Sequence, residues 1–199
     1  MASFRLCRSR YSGHDRQASV PTWRAPRVFA ARHHRRDERP ADVSAVEGLI
    51  REAFAGKPYS GGNEADIMAG LRRAGAATVA LVAEDGEGAL VGQIVFSPVT
   101  IEGRPSDWHA LGPVAVKPER QGQGIGAALI EAGLARLARL GSAGCVLLGD
   151  PGYYRRFGFR RMERLRVDDL PAEYLMARPA DGVEPSGTLA FHPAFGVGA

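Results

Sequence analysis

Gln121, Gly122, Gln123, Gly124, Ile125 and Gly126 are the residues of this chain with the plainest chemical meaning. Glycines at alternate positions permit positive φ and let a ligand approach the backbone with no side chain in between. Directly after them, Ile125, Ala128, Leu129, Ala132, Leu134, Ala135, Leu137, Ala138 and Leu140 recur at helical spacing as far as Gly141. The first turn of such a helix has unpartnered N–H groups and the positive end of its dipole. Glycines at that point leave room for an anion, and a phosphate or pyrophosphate is the natural guest.

The elements that must hold this loop are legible on both sides. Leu111–Val116 has the short, apolar character of a buried strand, and Lys117-Pro118-Glu119-Arg120 ends it, because proline lacks an N–H and biases its predecessor away from helix. A Walker loop would need Lys-Ser/Thr after its last glycine, and neither follows Gly126. Gly122-Gln123-Gly124-Ile125-Gly126-Ala127 formally matches the dinucleotide fingerprint. However, a proline-containing loop separates strand from glycines, and Gly141–Leu148 lacks the ribose-binding acid expected about 20 residues on.

Gln121-Gly122-Gln123-Gly124-Ile125-Gly126 resembles the Gln/Arg-x-x-Gly-x-Gly/Ala signature of the GNAT superfamily of acetyl-CoA-dependent N-acetyltransferases. Leu111–Val116 stands where that family has its central strand, and Tyr154-Arg155-Arg156-Phe157-Gly158-Phe159 resembles its Tyr-x-x-x-Gly-Phe segment. The phrases SGGNEADI, FSPVTI, LGPVAVKPERQGQGIG, GDPGYYRRFGF and FHPAFG are similar to the YhbS-like branch, over roughly residues 28–196. The resemblance implies an α/β GNAT fold, a central mixed sheet of six to seven strands flanked by helices. It also implies acetyl-CoA as co-substrate and direct attack of an amine on its thioester.

Site residues follow from the same resemblance. Gly122, Gln123, Gly124, Ile125 and Gly126 would offer backbone donors to the pyrophosphate, with Gln121 closing the loop. The backbones of Val114, Ala115 and Val116 would take the pantetheine arm, and the Val114 N–H an oxyanion. Tyr154 matches the family tyrosine that returns a proton to the thiolate, its phenol having a reference pKa near 10; core packing is the competing role. For the base the family has no fixed position. Glu64, after Ser-Gly-Gly-Asn at a helix start, suits a cationic amine, or is a first-turn acid favoured by the dipole. His109 has the right titration range, or a structural role. Asp150 faces the cleft or caps the helix carrying Tyr153 and Tyr154. His192 and the pair His33-His34 show no metal-ligand spacing, and no metal is assigned.

The remaining elements read in order. A first strand is expected at Val28–Ala31. A helix opens at Pro40-Ala41-Asp42 with Asp42 as N-cap, carries Val43, Val46, Leu49, Ile50 and Phe54 inward, and stops at Gly56. Asn63 caps a second helix through Leu71. Thr78–Ala83 and Ala89–Thr100 form a hairpin, a turn follows at Ile101–Ser106, and Cys145–Leu148 is a buried strand. Phe159–Met162, Tyr174–Ala177 and Leu189–Phe191 are further strand candidates. The order implies a sheet antiparallel at first and parallel across the long helix.

Composition sets the outer bounds. The chain has 199 residues and a net charge of +4, yet residues 1–40 carry ten arginines against Asp15, Asp37 and Glu38, so the other 159 residues total −3. The basic character belongs to the N-terminus. Residues 1–26 read as a disordered extension; a transit peptide, a nucleic-acid-binding arm and a start codon placed too far upstream fit the same composition. Residues 27–199 read as the acetyltransferase domain. Two distant cysteines, Cys7 and Cys145, make no disulfide framework, and no apolar run reaches the roughly 20 residues that cross a bilayer. The expectation is a cytoplasmic enzyme with a small-molecule or peptide amine acceptor and without membrane or nucleic-acid partners; a homodimer is compatible with the family. A non-enzymatic CoA-binding sensor on the same fold is the rival reading.

Overall fold

The computed structural model describes residues 33–58, 60–168 and 173–196. In chain order these form β1 (His34–Asp37), α1 (Val43–Phe54), α2 (Glu64–Arg73), β2 (Val79–Glu84), β3 (Leu90–Ile101), β4 (Arg104–Val116), α3 (Ile125–Arg139), β5 (Gly144–Leu148), α4 (Pro151–Tyr154), β6 (Leu165–Arg166), β7 (Leu175–Pro179) and β8 (Gly187–Ala190). The sheet runs β1-β2-β3-β4-β5-β7, with β8 added beside the far end of β3 and β6 beside β8. Its first four strands are antiparallel, β4 and β5 are parallel, and β5 and β7 are antiparallel. This is the mixed α/β sheet expected, with eight described strands rather than six or seven.

Alternation along the strands assigns the two layers. Leu81, Ala83, Ile94, Phe96 and Leu111 face Ile125, Leu129, Ile130, Leu134 and Leu137 of α3. Val82, Val95 and Ala115 face Val46, Leu49 and Ile50 of α1 and Ile67, Met68 and Leu71 of α2. β3 is covered on both sides, which is why it reads as a nearly continuous apolar run. Each fully buried aliphatic side chain contributes about 1.5–3 kcal/mol. α3 lies close against the sheet at Gly133, where an added Cβ would lie 2.1 Å from the Phe96 ring.

Ion pairs fix the α1 and α2 layer to the edge strand. Arg36 of β1 donates to Asp42 at 2.6 Å and to Glu84 of β2 at 2.8 Å. This guanidinium holds the Asp42 carboxyl down at about 2. Arg72 of α2 reaches Glu38 at 2.7 Å and Glu47 at 3.5 Å.

Several local expectations change. The strand foreseen at Val28–Ala31 lies outside the described residues, and the first described strand begins at His34. Asp42 precedes α1 without capping it: its carboxylate accepts from the Arg39 N–H at 2.7 Å and from Arg36 instead. Asn63 precedes α2 but makes no side-chain cap bond. The turn expected over Ile101–Ser106 is only Glu102-Gly103, with φ of 51° and 68°, because the cross-strand pairing extends to Ile101 and Arg104. Phe159–Met162 is no strand. Phe159 and Met162 bury their side chains, while only Arg160 bridges to Ala177. Among the described residues, no helix is long and apolar enough to cross a membrane.

Candidate active site

The site begins where two strands part. β4 and β5 are paired only from Trp108–Gly144 to Ala110–Val146. Beyond that point β5 continues with β7 alone, and β4 continues with β3 alone, so a gap opens between them. At the opening β4 carries one extra residue: β3 advances from Ile94 to Phe96 while its partner goes from Val114 to Leu111. The bulge therefore falls on Gly112 and Pro113, joined by a cis peptide.

Pairing alternates along an antiparallel ladder, and this decides which groups face the gap. The Lys117 N–H donates to the Val91 carbonyl at 3.0 Å, so the Val91–Lys117 pair is hydrogen-bonded. By alternation the Gly92–Val116 and Ile94–Val114 pairs are not, and Gln93–Ala115 is. The N–H groups of Val114 and Val116 consequently point away from β3 into the gap, whereas the backbone of Ala115 is spent on β3. Of the three residues grouped by the sequence expectation, Val114 and Val116 are the two with backbone donors to spare.

The glycine loop closes the top of the gap. Gly122 and Gly124 have φ of 73° and 83°, left-handed values that favour glycine, and a Cβ on either would meet nothing within 4 Å. Gly124 is the residue before α3, so the first N–H groups of a fifteen-residue helix open onto that empty side. Gln121 donates its side-chain amide to the Val116 carbonyl at 3.0 Å, and Gln123 donates to the Glu119 carbonyl at 3.4 Å. Ile125 is buried under the sheet. A Cβ on Gly126 would stand 3.5 Å from Val116 and 3.6 Å from the Tyr153 hydroxyl, ordinary contacts, so the protein itself does not demand glycine there.

Two tyrosines from α4 stand on the α3 side of the gap, their rings edge to face at 5.0 Å. The Tyr153 hydroxyl lies beside the first turn of α3. The Tyr154 ring packs on Gly149 and Phe159 at the exit of β5. Burial pushes the Tyr153 phenol up, against the opposing Arg156 guanidinium 4.7 Å over its ring. Asp150 caps the helix that carries the tyrosines, its Oδ1 accepting from the Gly152 N–H at 2.8 Å at the start of α4.

The other candidates are spread more widely. His109 Nδ1 lies 2.9 Å from the Ser142 hydroxyl, which in turn lies 3.0 Å from the Asp107 carbonyl. Burial lowers the His109 pKa. It sits seven residues before Val116, about 23 Å along β4 from the strand end at the glycine loop, and the structure gives it a structural contact at the foot of the sheet. Glu64 accepts from the Ser60 hydroxyl at 2.7 Å and lines a cavity of about 410 Å³ between α1 and α2, with Ile50, Phe54 and Lys57. Cys145 is buried, and burial raises its thiol pKa. Among the described residues no group of three or more His, Cys, Asp or Glu is placed to hold a metal ion.

The sequence reading missed Gln93. This side chain is completely buried, donates from Nε2 to the Pro113 carbonyl at 3.1 Å, and leaves Oε1 without a partner among the described residues. An unpaired buried polar atom costs about 1–3 kcal/mol. The available signal was a lone amide in the apolar run of β3.

Comparison with known proteins decides the family. The model of the acetyltransferase (GNAT) domain matches residues 76–161. YhbS of Escherichia coli K12, named an uncharacterized N-acetyltransferase, is 39% identical over 124 residues, which cover 62% of this chain and 71% of YhbS. This chain belongs to the GNAT family, in the branch of YhbS. A GNAT acetyltransferase of Brucella melitensis, solved with acetyl-CoA, is 44% identical and superposes with a TM-score of 0.74 over 82% of this chain and 97% of its own. Escherichia coli YhbS, solved with CoA, is 32% identical with a TM-score of 0.76 over 86% and 96%. The GNAT domain match spans β2 through α4, every element that borders the gap. The α1 and α2 layer with Glu64 and its cavity lies outside it.

Proposed function

We propose that this protein transfers an acetyl group from acetyl-CoA to an amine by direct attack on the thioester. One observation carries the reading: the backbone donors of Val114 and Val116, unused by β3, face the same gap that the glycine loop and the start of α3 close. An elongated ligand with a diphosphate at one end and amide groups along its arm suits that arrangement. The residues present fit acetyl-CoA, and the co-substrates held by the Brucella and Escherichia relatives support the same choice.

The chain's own groups then have distinct tasks. The N–H groups from Gly122 to Gly126 bind the diphosphate, and Gln121 keeps the loop against β4. The Val116 N–H bonds the pantetheine arm. The Val114 N–H stabilises the oxyanion of the tetrahedral intermediate. The phenol of Tyr154 returns a proton to the departing CoA thiolate, with Tyr153 packed beside it. The cavity between α1 and α2 receives the acceptor: Ile50 and Phe54 contact its carbon skeleton, and Glu64, oriented by Ser60, attracts the ammonium and takes its proton.

Calorimetric titration of acetyl-CoA, beside a Gly124→Glu variant, tests the reading. Binding that the variant abolishes supports it, and amines are then screened by release of CoA thiol. A wild-type protein that ignores acetyl-CoA refutes it, and one that binds without turnover on any amine is a sensor.

A further inference from the structure

We propose that Gln93 is a positioning residue for acetyl transfer, acting through the Pro113–Val114 peptide; the inference rests on the acetyl-CoA reading above. The bulge in β4 is its physical origin. An extra residue interrupts the ladder at Gly112 and Pro113, and by the alternation above the Val95 N–H faces the Pro113 carbonyl from β3. The Nε2 amide of Gln93 supplies a further donor to that carbonyl at 3.1 Å, clamping it from a side chain where the bulge loosens the ladder.

The Pro113–Val114 peptide is trans and planar, so its C=O and N–H point in opposite directions. Holding the carbonyl from the β3 side aims the Val114 N–H away from β3, into the gap. The strand register gives the donor assigned to the oxyanion its direction, and Gln93 holds that direction firmly by fixing the carbonyl of the same peptide. Its other end agrees with this role. Oε1 is buried and finds no donor among the described residues. An aliphatic side chain of the same size would fill the space without stranding an acceptor, so what the amide contributes lies at Pro113.

The test uses the full chain, acetyl-CoA carrying ¹³C at the thioester carbonyl, and the infrared band of that carbonyl. A hydrogen bond from Val114 moves the band of bound acetyl-CoA to lower frequency. Gln93→Met, of similar volume but without a donor, is expected to lose at least half of this shift. Its calorimetric affinity for CoA should change less than about threefold, because the diphosphate and pantetheine contacts are untouched. Gln93→Asn, one methylene too short to reach, is expected to behave in the same way and serves if the methionine variant does not fold. A full shift in either folded variant overturns the inference. So does a loss of shift accompanied by more than about a tenfold loss of CoA affinity, which marks general collapse of the site. A wild type that binds acetyl-CoA with no shift also overturns it while sparing the proposed function; a wild type that binds no acetyl-CoA overturns the function itself.

Discussion

Gln121 donates its side-chain amide to the carbonyl of Val116, 3.0 Å away, and so ties the glycine loop to the last residue of the central strand. The bond ends at a carbonyl that β3 does not use. It fixes the loop's distance from the Val116 N–H on the gap side.

Gln121→Ala is expected to keep the fold and to weaken CoA binding about tenfold, because ordering the loop then falls to the ligand. Calorimetry checks this; an unchanged affinity would mean that the loop is held by its backbone alone.

Gly124 adopts φ of 83°, so Gly124→Ala strains the backbone by about 1–2 kcal/mol even though its methyl group meets no neighbour. For a chain of this length that lowers the melting temperature by roughly 2–8 °C. A scan showing no loss contradicts the left-handed conformation.

The two tyrosines separate by kinetics. Tyr154→Phe is expected to reduce the rate of CoA thiol release about 10²- to 10⁴-fold at unchanged acetyl-CoA affinity. Tyr153→Phe, whose hydroxyl neighbours the first turn of α3, is expected to change affinity more than rate. The reverse pattern would assign the proton to Tyr153. Since burial raises that phenol, its rate would then fall only as pH rises beyond the ordinary tyrosine range.

Arg36 links β1, β2 and the start of α1, and Arg36→Met leaves Asp42 and Glu84 without the cation they share. The variant should be less stable by about 3 kcal/mol near neutral pH in urea unfolding. The folded pKa of Asp42, about 2, lies below its ordinary value of 3.8, so this stabilisation is complete above pH 4 and disappears as pH falls towards 2. Wild type and variant should therefore converge in that window; a constant difference would remove Asp42 from the account.

Much of this molecule was legible before any coordinates, because it depends on neighbours in sequence. The 3.6-residue recurrence after Gly124 specified α3, and the motifs around Gln121 and Tyr154 pointed to the GNAT family, which the relatives bear out. Hairpin and helix order likewise foretold a mixed sheet. Caps were less legible: Asp42 has the right type and place, yet Arg36 on β1 outcompetes the helix for its carboxylate.

What only the tertiary structure decided is which backbone groups are left unused. Whether Val114 or Ala115 faces the gap depends on register against β3, twenty residues earlier, and on a bulge that no local pattern announces. Gln93 matters because its amide donates to the Pro113 carbonyl inside that bulge. His109 and Glu64 look alike in sequence as candidate bases, but pairing with Cys145 puts one at the foot of the sheet and helix packing puts the other in a cavity. Side-chain periodicity is a property of one element, whereas hydrogen-bond vacancy is a property of two elements in contact.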